Sequence, residues 1–281
     1  MRTAFIEQLT EAAAANPRVM LVVGDLGFGV VTDFAKRFPD QFLNAGVAEQ
    51  NMTGVAAGLA MAGKIVFTYS IANFPTLRCL EQIRNDVCYH DGNVVVVAVG
   101  GGLAYGSLGM SHHATEDLAI MRSLPNMTVL APGDPAETVA AVQCAAAGIG
   151  PTYLRLGRAG EPAVHSEAPD FQIGQSIEVR AGDQATIIAT GGMLHTAVSV
   201  ADELAAQGQH VGVISMHTIR PLDEAAIIRA ANETHLVITL EEHSIHGGLG
   251  GAVAEVLAEC EVPNWKLHRI GLPSVFSSKV G

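Results

Sequence analysis

Two valine-rich apolar runs, Val19–Val23 and Val94–Val99, constrain the fold more than any other feature of this chain. Neither run contains a polar residue, so a strand formed by it must be buried on both faces. Further strand-like runs follow along the chain, and helical segments separate them. Strands alternating with helices in this way predict a parallel sheet that is covered by helices on both faces. The predicted fold class is therefore α/β.

The alternation stops at residues 157–182, where prolines, glycines, serines and acidic residues indicate a linker. It then restarts and continues almost to the end of the chain. A length of 281 residues suits one large or two ordinary domains. We therefore expect two parallel-sheet α/β domains, one over residues 1–156 and a smaller one over residues 183–281.

The segment Gly46–Ala60 places one carboxylate, Glu49, at the start of an otherwise apolar helix. Gly54, Gly58 and Gly63 each cost about 1 kcal/mol against alanine inside a helix, which indicates that another backbone packs closely there. A carboxyl group held against such a surface is poorly solvated and can share a proton with a ligand nitrogen. The alternative is a glutamate that only complements the helix dipole.

Composition excludes several classes of function. The formal net charge of −12 disfavours binding to a phosphate backbone as a main role. Mean hydropathy is +0.30, but no apolar run approaches the roughly 20 residues that a membrane-spanning helix needs. The four cysteines form no Cys-x-x-Cys pair, and no signal peptide is evident, so we expect a cytoplasmic protein with reduced cysteines.

A long glycine-rich loop, Gly100–His113, follows the most strand-like run and ends in two histidines. Loops of this length inside a compact domain are usually functional. Adjacent side chains point in different directions, so one imidazole, of His112 or of His113, can face a substrate oxygen as proton donor or acceptor. The alternative is a histidine at a helix start that bonds only to the backbone.

Two arginines, Arg155 and Arg158, lie at the end of the predicted strand Pro151–Leu156. Ligand crevices in open α/β sheets border the carboxyl ends of strands. An arginine there can bind phosphate, sulfonate or carboxylate with its planar guanidinium. The alternative is an ion pair with a linker acid such as Glu161.

Two other kinds of site are disfavoured. No glycine cluster fits the dinucleotide-binding pattern Gly-x-Gly-x-x-Gly at the first turn between strand and helix. His243 and His246 stand beside two glutamates, but the surrounding glycines indicate a loop and not a metal site. We therefore predict no metal ligands in this chain.

Five motifs occur in order along almost the whole chain, and together they resemble the motifs of one family. They are Val-Ala-Glu49-Gln-Asn, Phe74-Pro-Thr-Leu-Arg78-Cys-Leu-Glu-Gln-Ile, Ser-His112-His-Ala-Thr-Glu-Asp-Leu-Ala-Ile-Met, Pro151-Thr-Tyr-Leu-Arg155-Leu-Gly-Arg158 and Leu240-Glu-Glu-His-Ser-Ile-His-Gly-Gly-Leu-Gly250. In this order and spacing they resemble the C-terminal half of transketolases, specifically the separate C-terminal subunit of split, two-gene transketolases.

The resemblance implies thiamine diphosphate as cofactor and makes the first domain its pyrimidine-binding domain. Glu49 matches the family glutamate that hydrogen-bonds a ring nitrogen of the aminopyrimidine, which favours the imino tautomer and activates the thiazolium carbon. Phe74 matches an aromatic residue that packs on the pyrimidine ring, and Ile71 falls where many relatives carry another aromatic residue. Arg78 and Asp25 are the other candidate cofactor-binding residues.

The resemblance also implies a partner. The family holds the diphosphate through Mg²⁺ with a Gly-Asp-Gly motif and a downstream asparagine, and no Gly-Asp-Gly occurs in this chain. We therefore expect an N-terminal transketolase subunit that carries this motif, and we expect Mg²⁺ to be bound mainly by that subunit. The cofactor site would then lie at the interface of an α2β2 heterotetramer.

Substrate recognition is expected to differ from that of common transketolases. Gly100 and Gly101 occupy the positions of a His-Asp pair, and Ser107 and Leu108 those of an acidic pair. In the family these groups contact sugar hydroxyls, and a site without such bonds selects a different substrate.

The resulting hypothesis is a subunit of a transketolase-like enzyme that moves a two-carbon ketol unit from a ketose to an aldose. Glu49 activates the cofactor, His112 and His113 handle substrate oxygens, and Arg155 binds a phosphate or another anionic group. One alternative is the beta subunit of a 2-oxo acid decarboxylase or dehydrogenase, or of an acyloin-forming enzyme. Another is a non-catalytic nucleotide- or partner-binding α/β protein.

Overall fold

Two β-sheets, each flanked by helices, make up the computed structural model, which describes residues 1–277. The last four residues of the predicted second domain, 278–281, lie outside the described part. The strands are β1 (Val19–Val23), β2 (Phe42–Asn44), β3 (Ile65–Ile71), β4 (Val94–Val99), β5 (Thr128–Leu130), β6 (Thr152–Leu156), β7 (Ile177–Arg180), β8 (Ala185–Ala189), β9 (Val211–Ser215), β10 (Thr218–Arg220), β11 (Leu236–Ser244) and β12 (Lys266–Leu272). The α-helices are α1 (Arg2–Ala15), α2 (Thr32–Arg37), α3 (Glu49–Met61), α4 (Leu80–Gln82), α5 (Asp117–Ser123), α6 (Pro135–Ala146), α7 (Met193–Ala205), α8 (Glu224–Thr234) and α9 (Leu249–Glu259).

The first sheet has seven strands in the order β10-β5-β6-β4-β3-β1-β2, and every pair is parallel except β10 with β5. Every residue of β1 and of β4 is buried, as their apolar sequences require. The second sheet has five strands in the order β12-β11-β8-β9-β7. The predicted α/β fold with two parallel-sheet units is therefore confirmed, and antiparallel pairing is confined to β7 and β10.

One strand of the first sheet comes from the second half of the chain. Strand β10 follows β9 and pairs with β5, with Thr218 opposite Leu130. A backbone hydrogen bond of 2.8 Å from Ala131 to the His217 carbonyl extends this connection. The sequence pattern did not indicate β10, which has only three residues. Its pairing ties the two sheets together.

The linker predicted over residues 157–182 ends earlier in the structure. Residues Ile177–Arg180 form β7, an edge strand that pairs antiparallel with β9 and has a register shift. The composition of a linker is confined to the part of this segment before β7. Within β7, Ile177 and Val179 alternate with charged residues, as expected of a half-buried strand.

The apolar core is continuous between the two sheets. Leu118 and Met121 of α5 belong to the same buried cluster as Ile227 of α8 and Leu249 of α9. Helices that flank both sheets therefore contribute to one buried apolar core. Within residues 1–277, no helix combines the length and apolar character required to cross a membrane.

Candidate active site

The buried carboxylate of Glu49 lies at the first residue of α3, near the carboxyl end of β3. Its side chain is 1 % exposed. The Ser70 hydroxyl donates to Oε1 at 3.3 Å, and Arg78 Nη1 donates to Oε2 at 2.6 Å. A Cβ on Gly24 would lie 3.4 Å from the Glu49 side chain, so the glycine leaves that side of the carboxylate in contact with backbone alone.

Arg78 covers Glu49 from the solvent side. The Arg78 side chain is 46 % exposed, and its Cζ lies 4.9 Å from the centre of the half-buried Phe74 ring. The charge of Glu49 is therefore balanced within this chain by a side chain that can move into solvent. A ligand nitrogen that approaches Glu49 must share the carboxylate with Arg78 or displace it.

The other two predicted cofactor residues occupy different surroundings. Ile71 is half-buried at the end of β3, and its carbonyl accepts a 2.8 Å hydrogen bond from the Phe74 backbone, which fixes the turn that carries Phe74. Asp25 is exposed in the loop after β1, where its carboxylate accepts a 2.9 Å hydrogen bond from Asn44. Asp25 orders this loop through that bond and has no contact with Glu49 among the hydrogen bonds of residues 1–277.

The two adjacent histidines point in different directions, as expected. The His112 ring is 5.1 Å from the Phe74 ring in an edge-on arrangement, and its Nδ1 is 3.1 Å from the Ser111 hydroxyl. His113 is buried, and its Nε2 is 3.1 Å from the Gly106 carbonyl. The geometry therefore favours His112 as the histidine that faces the site, and gives His113 the backbone-bonded position that was the alternative.

Arg155 does not occupy the position expected of an anion-binding residue. It is only 6 % exposed, and its Nε donates to the buried Asp117 at 2.7 Å. Its Nη2 donates to the carbonyls of Ala114 and Glu242, each at 3.0 Å. The suggested alternative partner, Glu161, instead pairs with the N-terminal amine at 2.8 Å. With Nε and Nη2 bonded inside the protein, Arg155 is one half of a buried ion pair, and this arrangement does not support the anion-binding role predicted for it.

The Arg155–Asp117 pair is ionised although it is buried. Burial alone would raise the pKa of Asp117, but the charge of Arg155, with hydrogen bonds from Arg155 and Tyr153, brings it below its ordinary value. Burial alone would lower the pKa of Arg155, and Asp117 raises it instead. Burial and the nearby Asp117 raise the pKa of Tyr153 well above its ordinary value, so its hydroxyl stays protonated and donates to Asp117 at 2.6 Å.

Arg158, two residues beyond the same strand, is the exposed arginine at this sheet edge. Its Nη1 donates to the Ala104 carbonyl at 3.0 Å, and its Cζ lies 5.4 Å from the centre of the Tyr105 ring. The Arg2 backbone N–H donates to the Arg158 carbonyl at 3.1 Å, so the backbones of two arginine residues meet here. Neither has an acidic partner among the salt bridges of residues 1–277.

Three consecutive glycines at the end of β4 leave space for neighbouring side chains. A Cβ on Gly100 would overlap the Tyr105 ring, one on Gly101 would lie 2.6 Å from Arg155 Cζ, and one on Gly102 would overlap the Glu242 side chain. No His-Asp pair can therefore stand at positions 100 and 101 without moving Tyr105 and Arg155.

The glycines of α3 behave differently from the prediction. A Cβ on Gly54, Gly58 or Gly63 would meet no atom of residues 1–277 within 4 Å. No backbone of residues 1–277 therefore packs closely against them, so the expected close approach of another backbone is not made within this chain. Gly54 and Gly58 lie on the outer, exposed face of α3.

The structure also describes the region of His243. Its Nε2 accepts from the Ala119 backbone at 3.3 Å, and its Nδ1 is 2.7 Å from the Ser244 carbonyl. Residues 1–277 contain no group of three or more His, Cys, Asp or Glu side chains that could hold a metal ion.

Comparisons with known proteins identify the family. Residues 1–160 match the family model described as the transketolase pyrimidine binding domain, and residues 174–279 match the transketolase C-terminal domain. A putative transketolase C-terminal section from Methanocaldococcus jannaschii is 42 % identical over 98 % of this chain and 87 % of its own length. The 6-deoxy-6-sulfo-D-fructose transketolase subunit SqwH from Clostridium sp. is 40 % identical over 98 % of this chain and 85 % of its own length.

Among solved structures, a split-gene transketolase described as an inactive beta4 tetramer superposes with a TM-score of 0.91 and 43 % identity. The match covers 99 % of this chain and 90 % of that one. This chain therefore belongs to the transketolase family of transferases. Within that family it is a transketolase-like C-terminal subunit of the split type, which confirms the resemblance inferred from the motifs.

Proposed function

We propose that this chain is the pyrimidine-binding subunit of a two-subunit, thiamine-diphosphate-dependent enzyme that transfers a two-carbon ketol unit from an anionic ketose to an aldose. The observation that carries the proposal is the environment of Glu49. Its carboxylate is removed from water at the carboxyl edge of the first sheet, with Ser70 and the part-exposed Arg78 as hydrogen-bond donors, and Arg78 in turn lies over the Phe74 ring.

The residues of this site fit one end of the cofactor. Glu49 would hold a ring nitrogen of the pyrimidine, and Phe74 and Ile71 would pack on its ring. When bound, thiamine diphosphate supplies the carbon nucleophile that accepts the ketol unit. We assign the diphosphate and Mg²⁺ to the partner, because this sequence lacks the Gly-Asp-Gly motif.

The surroundings of Glu49 suit proton exchange with a bound nitrogen. Hydrogen bonds inside a low-dielectric site are stronger than in water, so a buried carboxylate can hold a proton at a defined atom. The Ser70 hydroxyl is bonded to Oε1 of Glu49, and Arg78 is bonded to Oε2. Oε2 is therefore the oxygen that would give up its bond to Arg78 and bind the ligand nitrogen. Arg78 acts in this scheme as a cover that stabilises the charge of Glu49 until the cofactor arrives.

The substrate would be bound by His112 and Arg158. His112 lies edge-on to Phe74, where its imidazole can hold or release a proton at a substrate oxygen. Arg158, with Arg2 beside it, replaces the predicted Arg155 as the residue that binds the anionic end of the donor. The name of one relative, a 6-deoxy-6-sulfo-D-fructose transketolase subunit, describes a donor with an anionic end.

Exposed apolar residues near the site support the proposed partner. Val47, Leu108 and Met110 lie within four residues of Glu49 or His112 in the chain, Phe28 lies in the loop after β1, and each of the four is more than half exposed. Large apolar groups clustered on a surface mark protein–protein contacts. We assign this surface to an N-terminal subunit with the Gly-Asp-Gly motif, in an α2β2 assembly with the cofactor between the two kinds of subunit.

Reconstitution with the N-terminal subunit tests this function. The pair, supplied with Mg²⁺ and thiamine diphosphate, should release an aldehyde from a ketose donor and no CO₂ from a 2-oxo acid. Glu49→Gln should lower kcat by about 10²-fold or more, since it removes a positioned acid–base group. Glu224→Gln is the matched control, because Glu224 is an exposed glutamate at the start of α8. Equal activity of the two variants, or CO₂ release as the main reaction, would contradict the proposal.

A further inference from the structure

Tyr105 lies in a closed loop at the carboxyl edge of the first sheet. Gly102 and Ala114 exchange backbone hydrogen bonds of 2.8 and 2.9 Å, which close the loop formed by residues 103–113. Short 3₁₀ turns inside it, at Gly106–Leu108 and Met110–His112, order the backbone. Tyr105 is half-buried and is thus held by a structured loop and not by a flexible one.

The Tyr105 ring fills the space above Gly100. The Gly100 N–H donates to the Leu156 carbonyl at 2.8 Å, and its φ of +85° is a conformation that favours glycine. A Cβ at this position would overlap the ring of Tyr105. Position 100 therefore has no side chain, and the aromatic ring of Tyr105 occupies the space above it.

The same ring holds Arg158. The Arg158 guanidinium lies over the Tyr105 ring at 5.4 Å, and it donates to the carbonyl of Ala104, the preceding residue of the loop. An arginine over an aromatic face is attracted by the ring quadrupole. The loop thus fixes the direction of a cation that would otherwise be free in solvent.

A second tyrosine and a second arginine adjoin this pair. Burial is the main cause that raises the pKa of Tyr69 to about 12, and the charges of Arg2 and Tyr105 act on it in opposite directions. Arg2 is also joined to Arg158 through the backbone. A second basic residue, Arg2, therefore contacts the backbone of Arg158, in a chain whose net charge is −12.

We propose that Tyr105 is a specificity-determining residue that positions Arg158 for a terminal tetrahedral anion, phosphate or sulfonate, on the ketose donor. The proposal rests on the proposed function. Tyr105 itself supplies the wall against which the anionic end is held, and the absence of a side chain at Gly100 makes room for it. Tyr105 therefore contributes to the selection of donors with a charged end, and it takes no part in the chemical steps of ketol transfer.

Donor kinetics of the reconstituted pair test this role. The donors are a ketose phosphate, the corresponding sulfonate and the neutral ketose of the same length. Tyr105→Leu should raise KM for the anionic donors about fivefold, the value of one cation–aromatic contact, with kcat and the neutral donor unchanged. Tyr105→Phe keeps the ring and should keep the wild-type KM. Tyr89→Leu is the matched control, since Tyr89 is an exposed tyrosine that contacts only His90 among the aromatic pairs of residues 1–277.

Binding of inorganic sulfate to the same pair, measured by calorimetry, supplies a readout that needs no transfer reaction. Weaker sulfate binding by Tyr105→Leu than by Tyr105→Phe supports the proposal even if no ketol transfer is found, in which case only the proposed function fails. Equal sulfate binding by the wild type and Tyr105→Leu, no detectable sulfate binding by the wild type, or an equal rise in KM for neutral and anionic donors overturns it. The unfolding temperature of each variant shows whether a loss reflects misfolding.

Discussion

Replacement of Asp117 by asparagine should destabilise this protein severely. Asp117 is buried, and it accepts hydrogen bonds from Arg155 Nε at 2.7 Å and from Tyr153 at 2.6 Å. The variant keeps the shape of the side chain but leaves a buried guanidinium without a counter-charge. Breaking one partner of a buried ion pair costs about 3–5 kcal/mol. Because Arg155 also joins Ala114 to Glu242, the contact between the two sheets should loosen as well.

The assay is urea unfolding of the isolated chain, followed by far-ultraviolet circular dichroism. The matched control is Asp202→Asn, because Asp202 pairs with Arg180 on the surface and its side chain is 59 % exposed. Exposed pairs contribute about 0–1 kcal/mol. A loss for Asp117→Asn no larger than that for Asp202→Asn would refute the assignment of Arg155 and Asp117 as a structural ion pair.

The same pair predicts a pH dependence. The folded-state pKa of Asp117 lies below its ordinary value of 3.8, so its stabilisation is fully present above pH 3.8 and is lost as the pH falls through the folded-state pKa. The stability difference between the wild type and Asp117→Asn should therefore be constant near neutral pH and shrink only in acid below pH 3.8. A difference that already disappears near pH 6 would contradict this reasoning.

Three further predictions concern single side chains. His112→Asn should lower kcat/KM of the reconstituted pair without changing the unfolding temperature. His113→Asn should instead cost about 1 kcal/mol of stability, because it alters a buried hydrogen bond. If the two variants had equal effects on kcat/KM and on stability, the assignment of His112 to the substrate and of His113 to the backbone would be contradicted. His165→Gln should reduce stability at pH 6 more than at pH 9 in urea titrations. The hydrogen bond to the buried Glu137 raises the pKa of His165, and the stabilisation from this bond is lost as the pH rises through the raised pKa. A stability difference that is the same at both pH values would contradict this prediction. Gly101→Ala should destabilise the isolated chain by about 1–3 kcal/mol, because the added Cβ overlaps a buried guanidinium. Gly54→Ala should stabilise it by up to about 1 kcal/mol, because its Cβ meets open space and alanine favours the helix. The reverse order of the two unfolding midpoints would refute the packing argument.

The fold class could be predicted because its signals are local. A run such as Val94–Val99 has no polar residue, and only a strand buried on both faces accommodates it. Strand β10 could not be predicted in the same way. Its three residues pair with β5, which lies almost ninety positions earlier in the chain, and this pairing depends on how the two sheets dock.

The site shows the same division between local and long-range information. The motif around Glu49 identified a carboxylate at a helix start, but its partners Ser70 and Arg78 come from other segments and follow only from the three-dimensional structure. The choice between Arg155 and Arg158 had a local signal that could have been used. Arg155 lies between Leu154 and Leu156 inside a buried strand, whereas Arg158 lies beyond its end.

Titration of thiamine diphosphate with Mg²⁺ into the isolated chain, the isolated N-terminal subunit and the reconstituted pair, followed by calorimetry, tests the central claim most directly. If Glu49 and Phe74 hold one end of the cofactor and the partner holds the other, only the pair should bind it tightly, and Glu49→Gln should weaken that binding. Binding by the isolated chain as tight as that by the pair would contradict the account.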